Sequence, residues 1–519
     1  MSQFARRDFL KLSSTLVGGA ALSRILPAIS TLTGQKTDRP NVLILVFDTM
    51  SAPHLSLYGY GRETTPNLSR FADRATVYYS HYSEGSFTTP GTASILTGLL
   101  PWHHRAINSN GLIRRDLADN NLFRTVGDEY FRIGFSQNLW ADIFLRQFNT
   151  DLNLHLPASS FSYNNPLLLG DKALNDPLPY LAYDDFLVGG LKVDTPYSGS
   201  VTLGMMAAAI EHGLKLHPEL KLEDKKKPPF NGYFYFQNRT VFQGIYETLM
   251  RVASSEQRPY LGYFHLWSPH EPYAPQDRFK ALFQDDLKSP QKPKHHLVDI
   301  AVSRQELRRY MLAYDQYIAN VDAEFGILMD LLMASGLLDN TYVVATSDHG
   351  QLFERGVHGH GSRLMYDEGI HIPLLISAPG QVRRVDVYEP TSNVDLFPTL
   401  SAIMGIQSSP VRLDGGLLPG FGGESNPERS IFSIQAKENS AFQSLRKGTF
   451  VLIKGTHKLI LHTNYPGYED SVELYDLKVD PYEMKDLSLV DSVTAKQMKD
   501  ELLTARQAAD QLNTKYSGQ

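Results

Sequence analysis

Two apolar patterns alternate along the chain. Val42-Leu43-Ile44-Leu45-Val46-Phe47, Tyr260-Leu261-Gly262-Tyr263-Phe264-His265-Leu266-Trp267 and Thr341-Tyr342-Val343-Val344-Ala345-Thr346 are runs without regular polar alternation, as expected of strands buried on both faces. A further strand is predicted over Tyr366–Ile376. Between the second and third runs, Ser303-Arg304-Gln305-Glu306 has the form of a capping box. It opens a stretch in which Leu307, Met311, Tyr314, Ile318, Val321, Phe325, Leu328 and Leu332 keep helical spacing, so a long amphipathic helix is expected to end near Gly336. Two shorter helices are expected earlier. One starts at Thr65-Pro66-Asn67-Leu68, with Thr65 as cap and Pro66 at the first position; the other lies in Phe87–Gly98, with Pro90 at the first position and Gly98 at the exit. Near the C-terminus, Arg446–Lys454 and His457–Leu461 predict an antiparallel hairpin joined near Gly455, with Lys458 as a charge at the sheet edge. A last helix is predicted from about Ser492 to Leu512.

Strands separated by helices define an α/β chain, and in open α/β sheets ligands bind outside the carboxyl ends of the strands. Chemistry-bearing residues collect at those ends. Asp48 closes the first run, Ser268-Pro269-His270-Glu271-Pro272-Tyr273 follows the second, and Ser347-Asp348-His349-Gly350 closes the third, with His358-Gly359-His360-Gly361 in the loop beyond. Thr88, at the start of a helix, faces unsatisfied backbone N–H groups that favour an anion, which suits a nucleophile. Each residue alone has a plainer reading: a threonine cap, a turn aspartate, a structural histidine. Together they form a candidate active site. Residues from about 120 to 258, with Phe161–Pro166 and Leu222–Pro228 as loop-like stretches, read as an insertion that shapes a pocket.

Composition narrows the class. The 519 residues, 42% hydrophobic and 20% charged, carry a net charge of -6, which gives no basic footprint for nucleic acid. The absence of cysteine excludes disulfides, thiolate metal sites and any modification starting from a cysteine side chain. Ala5-Arg6-Arg7-Asp8-Phe9-Leu10-Lys11, followed by a mildly apolar segment from Leu16 to Leu22, is a twin-arginine export signature. A basic patch on a surface helix would explain the arginines but not the apolar segment. No later apolar run is long enough to span a membrane.

These residues carry a resemblance. Phe47-Asp48-Thr49, Tyr58-Gly59-Tyr60 through Leu68, the Thr88–Gly98 turn, Ser268–Tyr273, Thr346–Gly350 and the ending Glu473-Leu474-Tyr475-Asp476-Leu477 with Asp480-Pro481 resemble the sulfatase family of the alkaline phosphatase superfamily, from about Arg39 to Leu487. The resemblance implies a large mixed, mostly parallel sheet between helices and a small C-terminal antiparallel sheet. The implied division is a signal and spacer (1–38), a catalytic domain (39–400) and a C-terminal subdomain (401–519). It also implies that Thr88 stands at the nucleophile position, that Asp48, Thr88, Asp348 and His349 hold a divalent metal, and that His270 and His360 contact the substrate or leaving group.

The chain departs from the family at the decisive position. Sulfatases convert a cysteine or serine there to formylglycine, and an arginine follows four residues later; here the two positions are Thr88 and Thr92. Threonine cannot become formylglycine. A sulfated threonine would have to be attacked at sulfur by water, whereas a phosphorylated one resembles the intermediate of phosphodiesterases in the same superfamily. The expected activity is therefore an exported, metal-dependent hydrolase of phosphodiesters or phosphonate esters, acting on a small-molecule, lipid or glycan ester through a covalent Thr88 intermediate. The alternatives are a sulfate ester hydrolase, a phosphotransferase using an alcohol acceptor, and a binding protein with a dead active site, against which the intact Asp348-His349 pair and Thr88 count. A set of three oxygens and one nitrogen favours Mn or Zn over Ca for a single ion. His360 can protonate the leaving oxygen or hold a second ion, and His358 and His371 are bystanders on this reading.

Overall fold

The computed structural model describes residues 39–158, 160, 161, 163, 164, 234, 235, 238–283, 287, 290, 292–406 and 412–516. The twin-arginine segment, residues 162, 165 and 166 of the loop-like stretch at 161–166 and all of 222–228 lie outside them. The main sheet has eight strands: β1 (Asn41–Phe47), β2 (Thr76–Tyr78), β3 (Phe131–Ser136), β4 (Leu154–Leu156), β5 (Tyr260–Leu266), β6 (Thr341–Ser347), β7 (Leu374–Ser377) and β8 (Val385–Val387). Their order is β8-β2-β7-β6-β1-β5-β3-β4. β7 runs antiparallel to β2 and β6, and the other pairings are parallel. The expected mixed, mostly parallel sheet is the observed one.

β1 shows why its run has no polar alternation. Leu43, Leu45 and Phe47 enter one core and Val42, Ile44 and Val46 the other, so both faces are covered. The first core includes side chains of α1 (Pro66–Ala72), α4 (Asn238–Ser255) and α5 (Arg304–Ala334); the second takes in α2 (Thr88–Thr97), α3 (Leu139–Gln147) and α6 (Leu396–Ile403). The Ser303–Glu306 capping box opens α5 as expected.

Four expectations change. Tyr366–Ile376 is not one strand: Asp367–Ile370 is a helical turn and only Leu374–Ser377 pairs, because Pro373 lies immediately before β7 and cannot donate to a ladder. Thr65 makes no side-chain cap to α1; Asp322 of α5 accepts the N–H groups of Asn67 (2.8 Å) and Leu68 (2.7 Å) instead. Residues 131–156 and 238–255, expected within an insertion, supply β3, β4, α3 and α4 to the main sheet and its covering layer. Lys458 is the fourth.

The C-terminal sheet is antiparallel, in the order β9 (Ile431–Gln435), β10 (Gly448–Lys454), β11 (His457–Thr463), β12 (Ser471–Asp476). One face packs Phe450, Leu452 and Leu459 against Met498 and Leu502 of α7 (Ser492–Tyr516), and the other packs Val451 and Ile460 with Met365 and Tyr366. β11 is an interior strand, so Lys458 is not an edge charge. It is fully buried, with Nζ 2.8 Å from Asp367 and 2.7 Å from Glu483. Replacing it by methionine would leave two carboxylates buried without their cation. Lys458→Met is expected to cost about 3–5 kcal/mol, read as a shifted urea midpoint; an unchanged midpoint would mean that Asp367 and Glu483 take up protons or water at little cost.

Candidate active site

Strand register brings the site together. Phe47 pairs with Ser347 across β1 and β6, so Asp48 and Asp348, each one residue further on, emerge side by side. On the other flank Val46 pairs with His265, and His265 pairs with Ser136 of β3, two residues before Asn138. Thr88 is delivered by α2, whose first turn approaches very closely: a Cβ on Gly91 would sit 2.1 Å from the carbonyl oxygen of Asp348. Only glycine fits there. Gly98 ends α2 in the left-handed region (φ 65°), as expected, but Pro90 is the third helical residue and Phe87 the cap, so Thr88 is the first residue of the helix. Its hydroxyl is not spent on capping. Oγ1 accepts from Asn138 Nδ2 at 3.1 Å and lies 3.5 Å from His349 Nε2.

Asp48, Asp348 and His349 are fully buried, and their facing donor atoms lie within 4.8 Å of one another. Asp48 Oδ2 accepts from Asn138 at 2.6 Å, and Asp348 Oδ1 accepts from the backbone N–H groups of Thr49 (3.2 Å) and His349 (2.9 Å). Thr49 reaches this position with φ 64°, a left-handed conformation that costs a β-branched residue about 1–3 kcal/mol. Asp48 Oδ1 and Asp348 Oδ2 have no hydrogen-bond partner. His349 donates from Nδ1 to the Gly350 carbonyl at 2.8 Å, which leaves a lone pair on Nε2, 3.5 Å from Asp48 Oδ1 and 3.6 Å from Asp348 Oδ2. Two orphaned carboxylate oxygens facing an imidazole lone pair repel one another unless a cation lies between them, so the donors fit a divalent ion. Burial opposes the charged form of Asp48, but His270, then His265 and His349, hold its carboxyl well below the usual range.

Two residues at the site escaped the sequence reading. His265 is fully buried, with Nε2 3.7 Å from Asp48 Oδ2 and 3.5 Å from Asp348 Oδ2. Burial disfavours a proton on it, and the pull of Asp348 and Asp48 outweighs burial, lifting its pKa to about 9. The signal available was an imidazole inside an otherwise apolar run. Asn138 bridges Asp48 and Thr88 with its amide nitrogen while its oxygen caps α3 through the N–H of Trp140. A strand followed by an asparagine cap was its signal.

His270 and His360 border the same centre, their rings 4.7 Å apart, with His360 also 4.7 Å from the ring of His349. His270 donates from Nδ1 to the Glu271 carbonyl, and its buried Nε2 has no partner. His360 Nδ1 donates to Gln351 Oε1 at 2.8 Å, and Gln351 in turn donates to Tyr273, 2.9 Å from His358. Burial first, then the neighbouring His270 and His349, push the pKa of His360 well below its ordinary value, so its Nε2 carries a lone pair at neutral pH. His371 is held on the Tyr79 carbonyl at 2.9 Å.

A second group, His295, His462 and Glu473, has a similar composition but its valences are filled. His295 Nδ1 accepts the Leu297 N–H, so its Nε2 donates to Glu473 Oε1 at 2.9 Å, and Tyr366 and Tyr475 donate to Oε2. No orphaned oxygen calls for an ion there.

The sulfatase family profile matches residues 40–147 and 217–406, more than half of the chain, and the profile of the N-sulphoglucosamine sulphohydrolase C-terminal region matches 356–508. The chain belongs to the sulfatase family, within the alkaline phosphatase superfamily, and is an ester hydrolase of that group. Choline-sulfatase of Rhizobium meliloti is 24% identical over 480 residues, covering 87% of this chain and 83% of that protein. The multifunctional alkaline phosphatase superfamily protein PehA of Trinickia caryophylli is 23% identical over 508 residues, covering 87% and 91%. Among solved structures, the phosphonate monoester hydrolase of Agrobacterium radiobacter shares the fold with a TM-score of 0.62 at 19% identity, over 91% of this chain and 96% of that one. Among the described residues no helix is long and apolar enough to cross a membrane.

Proposed function

We propose that the protein hydrolyses phosphodiesters or phosphonate esters through a covalent ester on Thr88, with Asp48, Asp348, His349 and Thr88 holding a divalent ion. The observation that carries this reading is the Thr88 hydroxyl, buried and held by Asn138 beside His349 and the unpartnered oxygens of Asp48 and Asp348. An ion held by these donors would let Thr88 release its hydroxyl proton to solvent and react as the alkoxide throughout the cycle, and would offset charge on the transferring group. Thr88 Oγ1 forms the bond to phosphorus as the bond to the leaving oxygen breaks, and Asn138 Nδ2 fixes the direction of attack. His270 would be the proton donor to the leaving oxygen when both of its nitrogens carry a proton: Nδ1–H stays anchored on the Glu271 carbonyl and the unpartnered Nε2 is the site that gives up its proton. In the second step the same nitrogen takes a proton from the water that cleaves the threonine ester. His360, with its proton committed to Gln351, accepts a hydrogen bond and is not the acid. On this reading residues 1–38 are a twin-arginine export signal, and the enzyme works outside the cytoplasm.

A second reading, a sulfate ester hydrolase, is favoured by the relatives that are named sulfatases, choline-sulfatase among them. Purified protein assayed against matched aryl phosphodiester, phosphonate, phosphomonoester and sulfate esters separates the two. The expected order puts phosphodiester or phosphonate first in kcat/KM, and sulfate in first place would overturn the argument from threonine.

A further inference from the structure

We infer that Lys437 of the C-terminal subdomain determines specificity by binding a second anionic group on the substrate, one carried by the leaving portion of the ester. The inference rests on the hydrolase reading above and narrows its substrate class. Lys437 lies two residues beyond β9, and β9 is stitched to the segment that leads into Thr88. Ser433 Oγ donates to the Ser83 carbonyl, the Ile434 N–H to the Glu84 carbonyl at 2.7 Å, and Gln435 Nε2 to the Gly361 carbonyl at 3.1 Å. The Gly361 N–H in turn donates to the Ser86 carbonyl at 2.6 Å. Strand and segment run together, so that Lys437 comes level with Phe87. Its backbone is then anchored again. Asn108 Nδ2 donates to the carbonyls of Lys437 (2.7 Å) and Asn439 (3.1 Å), and the next carbonyl after Asn108, that of Ser109, accepts from Thr89 Oγ1 at 2.6 Å.

The side chain of Lys437, half-buried, reaches the flank of the site. Nζ stands 5.9 Å from the centre of the Phe87 ring, the residue before Thr88. A Cβ on Gly361, the residue after His360, would sit 3.6 Å from the same nitrogen and 3.2 Å from Phe87 Cβ. The ammonium thus rests against the neighbours of Thr88 and His360 together, close enough for its charge to act on His360. His360 in turn borders His270, the proposed proton donor to the leaving oxygen, with ring centres 4.7 Å apart. A cation on this flank meets substituents of the departing alcohol. A lysine there is a point charge on a flexible stem, suited to an anionic oxygen at a variable distance, and the Phe87 ring beside it gives the departing group an apolar wall. Lys437 makes and breaks no bond on this account; it acts by binding.

The test compares two aryl phosphonate esters matched in leaving-group acidity, one with a carboxymethyl group on the departing ring and the other with an ethyl group, turned over by the full-length protein. Wild type should favour the carboxymethyl ester in kcat/KM by about tenfold, the scale of one hydrogen bond to a charged group, and the preference should shrink as salt is added. Lys437→Met should remove the preference, chiefly by raising KM for the carboxymethyl ester, while Lys437→Arg keeps most of it. Equal kcat/KM for the two esters in wild type overturns the inference whether or not any variant folds, and leaves the hydrolase reading standing. An equal loss on both esters in Lys437→Met also overturns it, because the lysine would then act on the reacting phosphorus. Wild type that turns over neither ester, nor the matching phosphodiesters, overturns the hydrolase reading and this inference together.

Discussion

Thr88→Ala is expected to lose at least about a hundredfold in turnover, the scale of removing a positioned catalytic group, while Thr88→Ser retains activity within about tenfold. On the proposed mechanism alanine removes the atom that forms the bond to phosphorus, yet leaves the first turn of α2 and its Gly91 contact with Asp348 in place. Serine keeps the oxygen and loses the methyl that restricts χ1, so the hydroxyl spends part of its time away from Asn138. The same chemistry has a direct readout. Wild-type protein quenched during turnover of a phosphodiester should carry a phosphoryl-sized or substrate-sized increment on the peptide containing Thr88, and Thr88→Ala should not. Near-normal turnover in Thr88→Ala would reduce Thr88 to a bystander and leave water as the nucleophile.

Asp348→Asn is expected to abolish stoichiometric metal binding and to lower turnover by about a thousandfold or more, since the charge an ion brings to such a site is worth several kcal/mol. The fold should survive. The side-chain oxygen of the introduced asparagine can still accept from Thr49 and His349, the two backbone bonds that Asp348 Oδ1 accepts now. Its amide nitrogen would replace the unpartnered Asp348 Oδ2 and remove one of two buried negative charges. The variant relieves repulsion between the carboxylates but also gives up the pull of Asp348 on His265, so metal-free Asp348→Asn should melt close to metal-free wild type. Elemental analysis that finds full metal content in the variant would remove Asp348 from the ligand set, and a collapse of the melting temperature would show that its role is chiefly structural.

The residues proposed at the centre differ in how legible they were. Asp48, Asp348 and His349 stand at the ends of apolar runs, where one rule about parallel sheets assigns them to a single edge. Thr88 was legible as a hydroxyl at a helix start, though its exact helical position was not, because the first turn is set by the extended conformation of Phe87 rather than by Pro90. Asn138 was lost within a stretch whose loops hide a short buried strand. His265 was in plain view but indistinguishable from a core histidine, since alternation along β5 does not say which neighbour its face meets.

What the sequence determined by itself was the local grammar: which runs are buried on both faces, where the long helix begins, and which polar residues stand at strand ends. Such properties depend on neighbours a few positions apart. What only the tertiary structure decided depends on separations of tens to hundreds of residues. The pairing of Phe47 with Ser347 puts two carboxylates side by side, the pairing of Val46 with His265 brings an imidazole to them, and the place of β11 inside its sheet buries Lys458 against Asp367 and Glu483. The cap of α1 came from Asp322, more than 250 positions away, and not from the adjacent Thr65. Strand order and register are fixed by packing both faces of the sheet at once, and a buried charge finds its partner only after that packing has brought the two together.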